Sequence, residues 1–530
     1  MHKEALTWPP CADRRHYATH EMNQSSLDNN TTYATMATSP SLSLLGQSNG
    51  IPPVTPPAAI AAQFHSPNWP EWSTYTTRWS TYDAPSFDYV FLPEAESDLS
   101  IGLEYLTANH MPLLAQGGGH GYSPTLETIQ HAVQVNLDRF ANIDIHPNGT
   151  VSVGGSVRFE DLITSLYEAG RVLTVGSCPC VGSTGAMLGG GVGRLQGKYG
   201  LTSDAVVKMK VFLWNGTMVE ASNSANSDLF WGMQGAGQNF GVVTETTYRT
   251  WPQENNGTFY SADLYFTDDS LKGVLERLNT VIANQNAGLG MILAFFTDPA
   301  TLQTGLSLSI VYPGGIESGR HYADLFASTT ANDTHPPINR SLINETVVPW
   351  SQLDFVASNG TISAACKKGL RQNTYSASLR AFDPSTFVQL YAAYSLFIAA
   401  NPAASPSSMV FEIFGQEAVR SRASISSAFP HRGENNVLAL LEMIYADDAV
   451  AEVSDDFGRT WRDVLFRPEV SGYERPVVYQ NYAHGDEPLA AVYGYETWRQ
   501  EKLTALKREF DPLQVFSGYH AIPLKLSGWA

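Results

Sequence analysis

The chain has 530 residues, a formal net charge of −19 and a pI near 5.1, with 43% hydrophobic and 16% charged residues. That length supports two or three domains with ample core, and the acidic balance argues against nucleic acid or an anionic membrane as partner. The longest apolar runs break within about ten residues, far short of a bilayer span, so a soluble protein is expected. Four cysteines (Cys11, Cys178, Cys180, Cys366) are too few for a disulfide scaffold. Ten Asn-x-Ser/Thr sites (Asn23, Asn29, Asn30, Asn148, Asn215, Asn256, Asn332, Asn339, Asn344, Asn359) hint at the secretory route, yet MHKEALTWPPCADRRHYATH contains no apolar h-region. Compartment therefore stays open between secretion, weakly favoured, and cytoplasm.

Residues 1–66 are rich in Ser, Thr, Asn and Pro and read as a tail or linker. Within them Gly46-Gln47-Ser48-Asn49-Gly50 matches G-x-S-x-G formally, but the following IPPVTPP forbids the helix that a nucleophile elbow needs. From Ala84 the texture changes to short strands and helices. DYVFLP is a strand, ESDLSIGLEYLTANH an amphipathic helix, and MPLLAQ a strand entering Gln116-Gly117-Gly118-Gly119-His120-Gly121-Tyr122-Ser123. AVQVNL and TVSVGG are strands, FEDLITSLYEAG a helix stopped by Gly170, and RVLTVG a strand delivering Gly176-Ser177-Cys178-Pro179-Cys180-Val181-Gly182-Ser183-Thr184-Gly185. AVVKMKVFLWNGTMVEAS is a hairpin turned on Asn215-Gly216, followed by a short helix around DLFWGMQ and the strand VVTETTYRTW.

After about residue 255 glycine thins out. LYFTDD, GMILAFFT, LSLSIVYP and SMVFEIFG look like strands, LKGVLERLNTVIANQ and STFVQLYAAYSLFIAA like helices. This reads as a second, mixed domain with a larger antiparallel sheet, ending near Arg467. A loop from Pro476 to Pro488 and the helix YETWRQEKLTALKREF, stopped before Asp511-Pro512, complete the chain.

Glycine lets backbone N–H groups approach an anion closely, so the loops suit a pyrophosphate. The familiar nucleotide motifs nevertheless fail. In Gly235-Ala236-Gly237-Gln238-Asn239-Phe240-Gly241 the third glycine of G-x-G-x-x-G falls one place late, and Gly197-Lys198-Tyr199 lacks the rest of a P-loop. Cys178-x-Cys180 cannot hold zinc alone, no His or Cys stands at ligand spacing, and no metal is expected.

Taken together, Ala84 to Pro523 resembles the FAD-linked oxidases of the berberine bridge enzyme type, in the vanillyl-alcohol-oxidase family. The resemblance rests on Gln116-Gly117-Gly118-Gly119-His120, on Gly176 to Gly182 (G-x-C-P-x-V-G), on Gly189 to Leu201 (G-G-G-x-G-x-L-x-x-K-Y-G-L) and on Asp228 to Thr244. Phe429-Pro430-His431-Arg432, Tyr479-Gln480-Asn481-Tyr482 and Phe510-Asp511-Pro512 extend it. It implies an α+β fold: a two-subdomain PCMH-type FAD-binding domain over 84–254, a substrate domain over 255–467 whose large antiparallel sheet is backed by helices, and a C-terminal module over 468–530 that completes the site. It also implies covalent FAD, through His120 to the flavin 8α-methyl and through Cys178 to C6, an imidazole and a thiolate adding to an electron-poor ring. The remaining cofactor contacts would come from Gln116, Gly117, Gly118, Gly119, Gly121, Tyr122, Ser123, Val181, Gly182, Thr184, Gly185, Gly189, Gly190, Gly193, Gly241, Val242, Val243 and Asn481.

By the same resemblance Val181 lies beside C4a, where a small residue admits O₂. Tyr482 is the base assisting hydride transfer, with Tyr479 beside it at the catalytic centre, and a phenol titrating ordinarily near 10 must have its pKa lowered to act near neutrality. Two departures stand out: Gln116 replaces the usual Arg, and Arg420 to Ala428 lacks the acid that alkaloid-oxidising members carry there. Glu412 and Glu417 are candidate pocket acids, with a solvated surface carboxylate the favoured reading of each. The expected protein is a monomeric FAD oxidase taking a small organic, secondary-metabolite substrate and O₂. Carbohydrate oxidation is the alternative, disfavoured by the few tryptophans of the second domain (Trp350, Trp461), and a flavoprotein steering a non-redox cyclisation is a third reading.

Overall fold

The computed structural model describes residues 55–327, 338 and 340–529, and these described residues form one compact unit. Ser48, Cys11 and most of the expected tail lie outside the described residues. The described end of that tail is packed after all. Ile60 is fully buried, and Phe64–His65 (β1) pairs antiparallel with Phe87–Phe91 (β2), Phe64 stacking on Phe91 at 4.6 Å. A two-residue edge strand is too short to leave an alternation in the sequence.

β2 continues into a parallel arrangement with Leu113–Gln116 (β3) and Ala132–Asn136 (β4), in the order β1-β2-β4-β3. The helix Glu96–Ala108 joins β2 to β3 and buries Leu99, Leu103 and Leu106, one helical face, against Phe91, Val133 and Val135. The first glycine loop thus leaves from the carboxyl end of a parallel strand, where such sheets present ligands.

A second, antiparallel sheet combines Ile143–Ile145 (β5), Thr150–Gly154 (β6), Val206–Phe212 (β8), Met218–Ser222 (β9) and Val242–Arg249 (β10) in the order β5-β6-β10-β8-β9, while Arg171–Val172 (β7) pairs with Trp251–Pro252 (β11). The β8–β9 hairpin turns on Asn215-Gly216, with Gly216 at φ +77°. Of RVLTVG only the first two residues pair, because farther on a side chain replaces the ladder: Thr202 Oγ1 donates to the Thr174 carbonyl at 2.9 Å.

The third sheet has seven antiparallel strands: Thr258–Phe266 (β12), Gly290–Thr297 (β13), Thr304–Pro313 (β14), Arg340–Pro349 (β15), Arg371–Leu379 (β16), Ser408–Phe414 (β17) and Val437–Tyr445 (β18), ordered β15-β12-β14-β13-β17-β18-β16. One face packs Leu308, Leu293, Phe411 and Leu441 against helices Leu271–Ala283, Pro384–Ala400 and Ala451–Leu465. The other carries a polar stripe. Register pairs Ser408 with Glu442 and Glu412 with Leu438, and places Thr374, Ser376 and Ser378 beside them. On this face Leu438 and Leu440 meet Val192, Leu201, Phe429 and Tyr479.

Buried ion pairs join the first two sheets' loops to this part of the chain: Arg194 Nη1 to Asp354 Oδ1 at 2.7 Å, and Arg432 to both Asp204 oxygens at 3.0 and 2.8 Å. The C-terminal residues Val478, Tyr493, Leu503 and Ile522 share one core with Val151, Val153 and Val211. Lys507, wholly buried in helix Thr497–Phe510, donates to Asp511 (2.7 Å) and to the carbonyls of Asn239 and Phe516 (both 3.0 Å). Among the described residues no helix is long and apolar enough to cross a membrane.

Candidate cofactor and active site

The two glycine loops meet backbone to backbone. A Cβ on Gly118 would stand 2.6 Å from Gly182 N, and one on Gly182 would stand 2.8 Å from Gly118 N. Gly119 adopts φ +70°, a turn that L side chains resist. This contact brings His120 and Cys178, 58 residues apart in the chain, to the wall of one cavity of about 300 Å³. Gln116, Gly117, Gly118, Gly119, Gly121, Tyr122, Val181, Gly182, Thr184 and Gly185 line it, as do Gly241, Val242, Val243, Tyr479, Asn481 and Tyr482.

Four expected cofactor residues do not line the cavity. Ser123 Oγ donates to the His484 carbonyl at 2.8 Å and so ties the loop to the C-terminal module. Gly189 lies under Asn481, Gly190 under Phe429, and Gly193 against the Val175 carbonyl, each where a Cβ would collide. These glycines shape the cradle from behind.

The cation removed by having Gln116 is restored from a distant position that the motif does not include. Arg78, buried and lining the cavity, donates from Nη1 to Gln116 Oε1 (2.8 Å) and from Nη2 to the Gly121 carbonyl (2.9 Å). Burial lowers its pKa to about 10, which leaves it charged at neutrality. Next to it Trp79 stacks on the His120 ring at 4.5 Å and 23°.

His120 is held neutral, its pKa pushed down to about 3 by burial and by the Lys368 and Arg78 charges, so a ring nitrogen keeps its lone pair. The Cys178 thiol goes the other way. Burial pushes it up to about 12, so it is a protonated thiol and not the thiolate that its expected reactivity suggests. Cys180 is joined to Cys366 in a disulfide with Cα atoms 5.8 Å apart, across 186 residues of sequence, and Cys178 is the free cysteine among the described residues. His120, Cys178 and Cys180 do cluster, their ligand atoms within 4.8 Å, although no spacing in the sequence announced it. With Cys180 in the disulfide, the group offers one thiol and one imidazole, too few for a zinc site.

Tyr482, also on the cavity lining, donates its hydroxyl to Glu412 Oε2 at 3.0 Å, and Ser177 Oγ donates to Oε1 at 3.1 Å. Glu412 is therefore no surface carboxylate: it is buried behind the cavity-lining Tyr482 and Ser177, with 6% of its surface exposed. Glu417 is exposed, as expected. The Tyr482 phenol is pushed up, not down, by burial and by the Glu412 charge. Burial raises Glu412 too, which makes it a stronger proton acceptor. The pair is a phenol on a carboxylate, and the carboxylate is where a proton leaving Tyr482 would go. Tyr479 has a different task. Its oxygen accepts from Gly191 N (3.1 Å), Val192 N (3.3 Å) and Asn481 Nδ2 (2.7 Å), which anchors the third glycine passage.

A second carboxyl, Glu442, accepts from Ser408 Oγ at 2.9 Å and is raised to about 7 by burial and by Glu412. The folded protein thus binds this proton more tightly than the unfolded chain does, and stability falls as pH rises from the ordinary glutamate range towards 7. Glu442→Gln is expected to remove that slope, so that the variant's Tm gains on the wild type above pH 7 and matches it near pH 4. Parallel Tm-against-pH curves would contradict the assignment.

The donor set fits a flavin dinucleotide. The cavity has a glycine-lined wall that a Cβ would fill, a buried guanidinium, and a buried Thr184 hydroxyl with no partner of its own. Comparison with known proteins agrees. Residues 87–222 match the family model described as FAD binding domain. The chain is 32% identical to the FAD-linked oxidoreductase anuG of Penicillium roqueforti over 87% of its own length and 89% of the relative's. It is also 32% identical to FAD-linked oxidoreductase OXR1 of Pyricularia oryzae, over 86% and 88%. Among solved structures, BBE-like 1 of Physcomitrella patens superposes with a TM-score of 0.73 at 23% identity (88% of this chain, 98% of that one). The glucooligosaccharide oxidase of Acremonium strictum gives 0.70 at 18% (87% and 96%). The chain belongs to the FAD-linked oxidoreductases with a PCMH-type FAD-binding domain.

Proposed function

We propose that the protein is an oxidase carrying FAD bonded to His120 and Cys178, and that it oxidises a small organic alcohol or phenol of secondary metabolism. The observation carrying this reading is Tyr482, which lines the cavity that His120 and Cys178 share and donates to Glu412 at 3.0 Å. FAD held between the glycine loops by His120 and Cys178 would supply the redox chemistry, a ring that can accept hydride and be reoxidised by O₂ to give H₂O₂. Tyr482 takes the substrate hydroxyl proton while Glu412 accepts the phenol's, so neither group has to hold an isolated charge in the buried site. Ser177 orients the carboxylate, and Val181, small and on the cavity wall, leaves room for O₂. Support for the double tether comes from the neutral His120, the free Cys178, and the glucooligosaccharide oxidase, whose FAD is described as 6-S-cysteinyl, 8α-N1-histidyl. Sugar oxidation has less support: Trp350 is buried in the core and offers no stacking platform.

The test needs no substrate. The holoprotein is photoreduced anaerobically and mixed with O₂. An oxidase is expected to reoxidise in seconds or less with one H₂O₂ per flavin, and reoxidation no faster than that of a dehydrogenase, over minutes, would sink the oxidase assignment.

A further inference from the structure

A second cavity, about 220 Å³, shares Gly118 and His120 with the first but is lined by different chemistry: the Cys180–Cys366 disulfide, Arg158, Lys368 and a single acid, Glu160. Arg158 reaches Glu160 only at 4.0 Å, between partly exposed side chains. Lys368 has no carboxylate at ion-pairing distance among the described residues, and burial with the Arg158 and Arg78 charges lowers its pKa. Two cations facing one loosely held carboxylate leave the cavity with positive charge unmatched, in a chain whose net charge is −19. Such a pocket concentrates small anions.

We propose that this cavity docks a small thiol bearing carboxylates, of the glutathione class, which opens the Cys180–Cys366 disulfide by exchange. The arriving thiolate attacks Cys366 Sγ, the sulfur on the outer segment between exposed Ala365 and Lys367. A bond forms from the thiol sulfur to Cys366, the Cys180–Cys366 bond breaks, and its electron pair leaves on Cys180, which takes up a proton. The incoming sulfur is oxidised to the disulfide level and Cys180 is reduced, with no other reagent. Arg158 and Lys368 favour both thiolates.

The thiol already beside this bond does not do the work. Cys178 Sγ lies 3.5 Å from Cys180 Sγ and 4.0 Å from Cys366 Sγ, alongside the bond and not beyond its end, whereas exchange requires the three sulfurs in line. Its pKa, pushed up to about 12, also keeps it protonated. The reagent has to come from outside, and the second cavity is the approach. Exchange would release the loop carrying Cys178 from the 361–370 segment, loosening the cradle at its linking edge.

The full-length holoprotein is incubated with glutathione, 2-mercaptoethanol or cysteamine at equal thiolate concentration, quenched by alkylation, and analysed by peptide mass. Glutathione is expected to open the disulfide about ten-fold faster than the neutral thiol and faster still than the cationic one, forming a mixed disulfide at Cys366. The advantage should collapse in about 1 M salt and in the double variant Arg158→Gln/Lys368→Gln. Equal rates for the three thiols, or a preference unchanged by salt, would overturn the proposal. The salt series on the wild type decides the question even if the double variant does not fold.

Discussion

Tyr482→Phe is expected to slow flavin reduction by an alcohol substrate about 10²- to 10⁴-fold, the ordinary worth of a positioned general base, while flavin content and the rate of reoxidation by O₂ stay near wild type. Glu412→Gln should cost a similar factor, since an amide cannot take up the proton of the phenol that donates to Glu412 Oε2. The double variant should be little worse than either single one, because the two groups act as a unit. A pH profile separates this from simple mispositioning. Glu412 titrates above the ordinary glutamate range, and its protonated form cannot take a proton, so the wild-type reduction rate should fall as pH drops through that raised value. The acid limb should vanish in Glu412→Gln. Anaerobic stopped-flow absorbance reads all of this, and full-speed reduction in Tyr482→Phe would remove the phenol from the mechanism.

The second large effect is architectural. In Gly118→Ala the new methyl would stand 2.6 Å from Gly182 N and 2.9 Å from its Cα, both backbone atoms that cannot swing away. Overpacking of this kind costs about 1–3 kcal/mol, and here the strain forces apart the two loops that present His120 and Cys178. Flavin content of the purified protein is expected to fall below about a tenth of wild type. Gly315→Ala is the matched control: it lies outside the cavity lining and a Cβ there meets nothing within 4 Å, so its flavin content should hold. Equal flavin content in the two variants would show that the loop contact is not what shapes the cradle.

The glycine passages were legible because their function is written in the backbone. Close approach requires glycine, and Gly118, Gly119 and Gly182 stand where no Cβ fits or where φ is positive. What the sequence concealed was long-range. Arg78 reaches Gln116 from 38 residues upstream, and nothing near Arg78 marks it. Glu412 looked like a surface acid because SMVFEIF carries a single charge, and only its register beside β18 and its bond to Tyr482, 70 residues later, disclose the burial. The Cys180–Cys366 disulfide could not be read from a count of four cysteines. Three strands of the third sheet escaped, Arg340–Pro349, Arg371–Leu379 and Val437–Tyr445, the last two for opposite reasons. RQNTYSASL is polar on the site face and mixed on the other, whereas VLALLEMIY is apolar on both apart from Glu442, so neither shows a clean period of two. The expectation of a lowered phenol pKa at Tyr482 failed because burial beside a carboxylate stabilises the neutral phenol.

Acid precipitation of the holoprotein tests the central claim most directly. Flavin absorbance should remain with the pellet, and the coloured peptides should contain His120 and Cys178. Yellow colour released wholly to the supernatant would contradict the tethered flavin, and colour attached through Cys180 would contradict the disulfide that leaves Cys178 as the linking thiol.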